Sequence, residues 1–182
     1  MTEALVFLVR SVAELFVIFV LLRLVMQTLR ADFRNPFAQV VLQITSPLII
    51  PARRILPPIG KIDTATIAVA VAVEFALLLF INWISGGYSG FGALLLYSAL
   101  RCVSLLIWLL IAVLFLYVLL SWINTGYNPV TALVQSLAEP LLSPIRRIIP
   151  PLGGIDFSAM ALILLLMALN IIIRTELPAL LL

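Results

Sequence analysis

Four long apolar runs dominate the pattern of hydrophobic and polar positions along the chain. They cover about residues 4–29, 64–84, 92–124 and 157–173. A helix needs roughly 20 mostly apolar residues to cross a bilayer, so each run is long enough, the last one only just. The first run opens Met-Thr-Glu, without a basic segment or a clear small-residue cleavage site, and is expected to be a retained span rather than a cleaved signal peptide. The pattern predicts an all-α protein with four transmembrane helices.

The segments between spans one and two and between spans three and four have helical spacing instead of continuous apolar runs. Asn35 and Asn128 can each cap a helix that has Pro36 or Pro129 at its first position. The apolar positions that follow lie on one helix face: Phe37, Val40, Val41 and Ile44, then Val130, Leu133, Val134 and Leu137. Pro47 is expected to end the first of these helices. We predict short amphipathic helices that either lie on the membrane or re-enter it.

These two segments are copies of one another. Shifted by 93 residues, the chain matches itself without a gap, and 14 of the 29 positions from Asn35 to Asp63 are identical. The chain is therefore predicted to be a tandem duplication of a span–loop–span unit, residues 1–91 and 92–182, with a pseudo-twofold axis along the membrane normal. The shared framework consists of Asn35, Pro36, Pro47, Pro51, Pro57, Pro58, Gly60 and Asp63, matched by Asn128, Pro129, Pro140, Pro144, Pro150, Pro151, Gly153 and Asp156.

Composition strengthens the membrane assignment and excludes much chemistry. Of the 182 residues 64% are hydrophobic and only 10% are charged, with a mean hydropathy of +1.27. A soluble chain of this size could not bury so much apolar surface. There is no histidine and only one cysteine, Cys102, which excludes imidazole metal sites, histidine-based triads and intrachain disulfides. We expect no metal, no cofactor and no nucleic-acid contact.

The basic residues predict the orientation of the chain. Seven of the eleven lie in or beside the two long loops: Arg30, Arg34, Arg53, Arg54, Lys61, Arg146 and Arg147. By the positive-inside rule both loops face the cytoplasm and both termini face the opposite side.

The segment Pro140–Ser158, with its Pro-Ile-Arg-Arg-Ile-Ile-Pro-Pro core, resembles the signature of the YggT family of bacterial inner-membrane proteins. The first copy matches less well, with Ala52, Lys61 and Thr64 at differing positions, but the resemblance covers essentially the whole chain. It implies an inner-membrane location and a link to osmotic-shock tolerance and to envelope or division organisation. In chloroplast relatives it implies cytochrome assembly and nucleoid partitioning. No catalytic residues or cofactors come with it.

The arginine pairs are the first candidate site. Arg53, Arg54, Arg146 and Arg147 could bind anionic lipid headgroups or an acidic partner, or could act only as topology markers. Asp63 and Asp156 stand where the next spans begin and are expected to cap them, with binding of the arginine pairs as the less favoured role.

Charges inside the predicted spans are the second candidate site. Glu74 lies near the centre of span two and Arg101 at comparable depth in span three, so the two are predicted to pair. A structural clamp is favoured over a polar transport path. Arg10 and Glu14 stand one helical turn apart and are expected to pair with each other. Arg23 is expected to reach the cytoplasmic interface.

These residues favour a non-enzymatic membrane factor whose twin Pro-Arg-Arg-Pro-Pro loops bind anionic lipid or a cytoplasmic or membrane protein. The alternative is a small channel or transporter for ions or osmolytes, active as a homo-oligomer and using Glu74 and Arg101. A membrane enzyme is least favoured, because its only paired carboxylates would be the two capping aspartates.

Overall fold

The computed structural model describes residues 2–60, 63–87, 90–123, 128–149 and 156–179. Within these ranges the chain forms six α-helices and no strand, which confirms the all-α prediction. They are α1 Thr2–Thr28, α2 Pro36–Ile55, α3 Thr64–Ile84, α4 Phe91–Trp122, α5 Pro129–Arg146 and α6 Phe157–Ala179. The framework residues Pro150, Pro151 and Gly153, and also Lys61, lie outside the described residues.

Four of the helices, α1, α3, α4 and α6, are long and apolar enough to cross a membrane. They coincide with the four apolar runs, so the predicted spans are confirmed. At a rise of about 1.5 Å per residue, the 21 residues of α3 extend about 32 Å, close to the thickness of a bilayer core. The 32 residues of α4 extend about 48 Å and must project beyond that core or tilt within it.

The helices pack in the same order in the two halves of the chain. α1 packs against α3 as α4 packs against α6, while α3 and α1 both contact α4. α2 lies against α1 and α3, α5 lies against α4 and α6, and α2 and α5 touch each other. The division into units 1–91 and 92–182 stays a prediction.

The predicted end of the amphipathic helix at Pro47 is wrong. α2 continues through Pro47 and Pro51 to Ile55, and α5 continues through Pro140 and Pro144. A proline inside a helix removes one hydrogen bond and costs roughly 3 kcal/mol. Both prolines of each helix lie one turn apart on its exposed face, so the buried face is uninterrupted. Burial of that face, at Ala38, Val41, Thr45 and Ile49 in α2, offsets the cost.

Matching apolar positions of α2 and α5 differ in their exposure. Val40 and Ile44 of α2 are 48% and 39% exposed, whereas the corresponding Leu133 and Leu137 of α5 are 9% and 1% exposed. The difference arises because α5 packs this face into a core cluster with residues of α1, α2 and α4. The matching face of α2 is left open.

Candidate functional site

The two amphipathic helices begin side by side. Asn35 caps α2 by accepting a hydrogen bond from the Phe37 N–H at 3.0 Å, and Asn128 caps α5 by accepting one from Val130 at 2.9 Å. The side-chain amide of Asn35 also donates to the carbonyl oxygen of Pro129 at 2.6 Å. A direct hydrogen bond therefore links the starts of α2 and α5.

We call the corner between α2 and α3 the first junction; it is centred on Arg53 and Asp63. Arg53 Nη2 donates to the Asp63 carboxylate and, at 3.2 Å, to Gln27 Oε1 of α1. Asp63 is 1% exposed and also caps α3, because it accepts hydrogen bonds from the Thr66 N–H (3.4 Å) and hydroxyl (2.6 Å). The structure thus gives Asp63 both the capping role and the arginine contact.

Arg23 extends the first junction into the interior. It is 5% exposed, and its Nη1 donates to Thr45 Oγ1 at 2.9 Å and Ser46 Oγ at 3.2 Å, both on α2. It lies one helical turn before Gln27, which accepts from Arg53. Within the described ranges no carboxylate lies within ion-pair distance of Arg23. Instead of reaching outward, as expected, this guanidinium is buried against two hydroxyl groups.

We call the corner between α5 and α6 the second junction; it repeats the pairing with Arg146 and Asp156. Arg146 donates to Asp156 Oδ2 from Nη2 at 2.6 Å and from Nε at 3.0 Å. It also donates to Glu139 Oε2 at 2.6 Å and to the Tyr117 hydroxyl at 2.9 Å. Asp156 accepts a hydrogen bond from the Ser158 N–H at 3.0 Å and so stands at the start of α6. All three nitrogens of the Arg146 guanidinium therefore have acceptors.

The electrostatics of both pairs favour the charged forms. Burial opposes ionisation of Asp63, but hydrogen bonds from Arg53 and Thr66 outweigh it and hold the pKa of this carboxyl below its ordinary value. Burial likewise opposes ionisation of Asp156, and hydrogen bonds from Ser158 and Arg146 lower its pKa. The pKa of Arg146 is raised, since the contacts with its acceptors outweigh desolvation.

The second arginine of each pair has a different environment. Arg54 and Arg147 are exposed, and neither has an ion-pair partner among the residues that the structure describes. Each is followed by a strongly exposed isoleucine, Ile55 at 80% and Ile148 at 81%. The four arginines proposed as one site are thus two internally paired residues and two outward-facing ones.

The proline frame of the first junction is built from backbone and hydroxyl contacts. Pro57 and Pro58 are exposed, and the Pro57 carbonyl accepts a hydrogen bond from Thr64 Oγ1 at 2.8 Å. Gly60 adopts a φ of +62°, a left-handed conformation that favours glycine. This turn brings the chain from the end of α2 back to the start of α3.

A second polar cluster lies inside the spans. Arg101 Nε lies 3.4 Å from Glu74 Oε2, so the two residues predicted to pair are close together. Glu14 is the nearer partner of Arg101, and it also accepts from Arg10 Nε at 2.8 Å. Side-chain exposure falls along the series, from 48% for Arg10 to 26% for Glu14, 16% for Arg101 and 0% for Glu74. The cluster connects three helices, α1, α3 and α4.

An apolar layer separates this intramembrane cluster from the first junction. On α1, Val17 and Val20 lie between Glu14 and Arg23 and are fully buried. They belong to one packed cluster, completed by Leu21, Ile49, Val69, Ala70 and Cys102. A transport path for ions that ran within one chain from Glu74 to Asp63 would have to cross this apolar layer.

Three contacts were not predicted from the sequence: those of Arg23 with Thr45 and Ser46, that of Glu14 with Arg101, and that of Glu139 with Arg146. Glu139 stands seven residues before Arg146, which is two turns of one helix face. This spacing places the two residues on one face only if the helix continues through Pro140. The first internal proline was expected to end the helix, so the contact was not predicted. The contact between Glu14 and Arg101 joins residues 87 apart and has no local signal.

Comparison with known proteins identifies the family. The model of the CCB3/YggT family matches residues 2–84 and 96–177. The chain belongs to the CCB3/YggT family. It is 40% identical over 187 residues to the uncharacterized protein YggT of Escherichia coli K12, covering 97% of this chain and 93% of the relative.

Other relatives have comparable coverage. An uncharacterized protein of Pseudomonas aeruginosa PAO1 is 36% identical over 182 residues, covering 98% of this chain and 92% of the relative. An uncharacterized protein of Haemophilus influenzae Rd is 35% identical over 164 residues, covering 88% of this chain and 86% of the relative. No solved structure is significantly similar to the chain.

Proposed function

We propose that this chain is a non-enzymatic protein of the bacterial inner membrane whose two arginine elements bind the phosphate groups of anionic lipids. The loops then face the cytoplasm and both termini face the periplasm, in agreement with the positive-inside rule. Through its family, the role of the protein is tolerance of osmotic stress and organisation of the envelope. Two findings support a membrane protein: the chain belongs to the CCB3/YggT family, and four of its helices are long and apolar enough to cross a membrane.

The observation that carries the proposal is the pairing of an exposed arginine with an exposed isoleucine at both junctions. Arg54–Ile55 and Arg147–Ile148 occupy matching positions, and both isoleucines are at least 80% exposed. A cation beside an exposed aliphatic side chain suits the boundary between headgroups and acyl chains.

The expected strength is modest. A basic residue near an anionic membrane surface contributes about 1 kcal/mol, so two such residues favour anionic over neutral lipid by roughly 30-fold. Arg146 contributes less directly, because all three nitrogens of its guanidinium group already have acceptors.

The test compares lipid retention by native mass spectrometry after reconstitution in nanodiscs of mixed phosphatidylglycerol and phosphatidylcholine. Wild type is expected to retain phosphatidylglycerol selectively, and the double variant Arg54→Gln/Arg147→Gln is expected to lose that selectivity. Arg30→Gln/Arg34→Gln is the matched control, since it removes two exposed charges from the first loop outside the proline frame.

Equal selectivity in wild type and in Arg54→Gln/Arg147→Gln would overturn the proposal. If the control variant loses the same selectivity for phosphatidylglycerol, the binding depends only on the total positive charge of the loops and not on a site. A co-purified protein that disappears only in Arg54→Gln/Arg147→Gln would replace lipid by a protein partner.

A further inference from the structure

The two junctions carry opposite net charge. The first contains two guanidinium groups, Arg23 and Arg53, against one carboxylate, Asp63, a formal net charge of +1. The second contains one guanidinium, Arg146, against two carboxylates, a net charge of −1. Both sets rest on an arginine–aspartate pair at the same repeat position.

Two substitutions between the copies produce this difference. The position of Arg23 is taken by Leu116 in the second copy, and the position of Ser46 is taken by Glu139. In the second copy the glutamate binds the arginine. In the first, a serine hydroxyl accepts from a second arginine.

The first junction is short of acceptors as well as of negative charge. Arg53 Nε is buried and has no hydrogen-bond partner among the described residues. Arg23 is 5% exposed and bonded to hydroxyl groups only. Arg23 of α1 and Arg53 of α2 are like charges at one junction and repel each other, and a buried cation without an ion-pair partner is costly. An anion bound at the exposed part of Arg53 supplies the missing negative charge.

We propose that the first junction, and not the second, is a specific site for one phosphate group, held by Arg53 with Arg23 behind it. The side chain of Arg53 is 37% exposed and forms the open side of the site. A phosphodiester carries one negative charge, which matches the excess of one positive charge. This inference rests on the proposed lipid binding: it adds one phosphate contact at the first junction to the attraction for anionic lipid that the outward-facing Arg54 and Arg147 exert at both junctions.

The variants that test it exchange the two junctions. Ser46→Glu introduces the residue of the second copy and leaves every arginine in place. Glu139→Ser is the reciprocal change and serves as the matched control. Arg23→Met removes the buried charge directly and gives an independent second measurement, with helix content checked by circular dichroism.

Binding is measured by native mass spectrometry in detergent, titrating short-chain phosphatidylglycerol in one arm and inorganic phosphate in the other. Ser46→Glu and Arg23→Met are each expected to weaken binding by about fivefold, as the loss of one net positive charge requires. Glu139→Ser is expected to leave the affinity within about twofold of wild type.

Each outcome is decisive. If Arg54→Gln/Arg147→Gln weakens lipid binding while Ser46→Glu and Arg23→Met do not, the junction site is wrong and the proposed function stands. If inorganic phosphate binds in an Arg23-dependent manner but phosphatidylglycerol does not, the phosphate site stands and the lipid function is wrong. If neither ligand binds wild type, both are wrong.

Discussion

The first and second junctions share an arginine–aspartate pair but differ in the other polar groups that contact the arginine and in the burial of the aspartate. Asp63 is buried and, among the residues that the structure describes, no second carboxylate pairs with the arginines of its junction, whereas Asp156 is 27% exposed and shares Arg146 with Glu139. The pair is what holds the end of each amphipathic helix against the start of the next span. Its surroundings are free to diverge, and their charge has diverged from +1 to −1.

The largest expected effect comes from removing the carboxylate of the first junction. Asp63→Asn leaves the buried Arg23 and the partly exposed Arg53 without the carboxylate of their junction and should cost about 3–5 kcal/mol. Asp156→Asn should cost only about 1 kcal/mol, because Glu139 still pairs with Arg146 and the site is partly exposed. Unfolding free energies in mixed micelles measure both variants, and equal losses would contradict the difference between the junctions.

The second comparison concerns matching apolar positions of α2 and α5, which are exposed in α2 and buried in α5. Leu137→Ala removes a fully buried side chain and should cost about 2–5 kcal/mol. The matching Ile44→Ala lies on the open face of α2 and should cost about 0.5 kcal/mol. The same unfolding assay tests this pair. A cost of Ile44→Ala similar to that of Leu137→Ala, or one that appears only at high protein concentration, would mean that a second copy covers α2.

The pH dependence of stability tests the aspartates together. Both have a folded pKa below the unfolded value of about 3.9, so their contribution is present above that pH and is lost as pH falls through the folded pKa. Wild type should therefore lose stability between about pH 5 and about pH 2. The Asp63→Asn/Asp156→Asn variant should show a flatter profile, and an unchanged slope would contradict the assignment of these pKa shifts.

A small effect is expected at a neutral hydrogen bond between α6 and α4, two of the membrane-spanning helices. Asn170 of α6 donates to Ser104 Oγ at 3.0 Å and to its carbonyl at 3.2 Å, whereas Leu77 occupies the matching position of α3. Asn170→Leu should cost about 0.6 kcal/mol, typical of a hydrogen bond between membrane helices. A loss as large as that of Asp63→Asn would show that the neutral link and the charged junction are equally important.

Several features of the fold follow from local properties of the chain. The four spans were predictable because the transfer of about 20 apolar residues into a bilayer depends on the residues themselves. The starts of α2 and α5 were predictable because Asn-Pro fixes a cap and a first turn. The end of α2 was not, because burial of its inner face, a tertiary effect, outweighs the local cost of Pro47 and Pro51.

The helical class, the number of spans, the 93-residue self-match and the Arg10–Glu14 and Glu74–Arg101 pairs were all predictable from the chain alone. Other polar contacts depend on how distant helices pack. Arg23 donates to Thr45 and Ser46, and Arg53 donates to Asp63. Glu14 accepts from Arg101, which is 87 residues away in the chain. The physical reason is that hydrophobic burial sums over neighbouring residues, whereas an ion pair depends on which faces of distant helices are brought within a few ångströms.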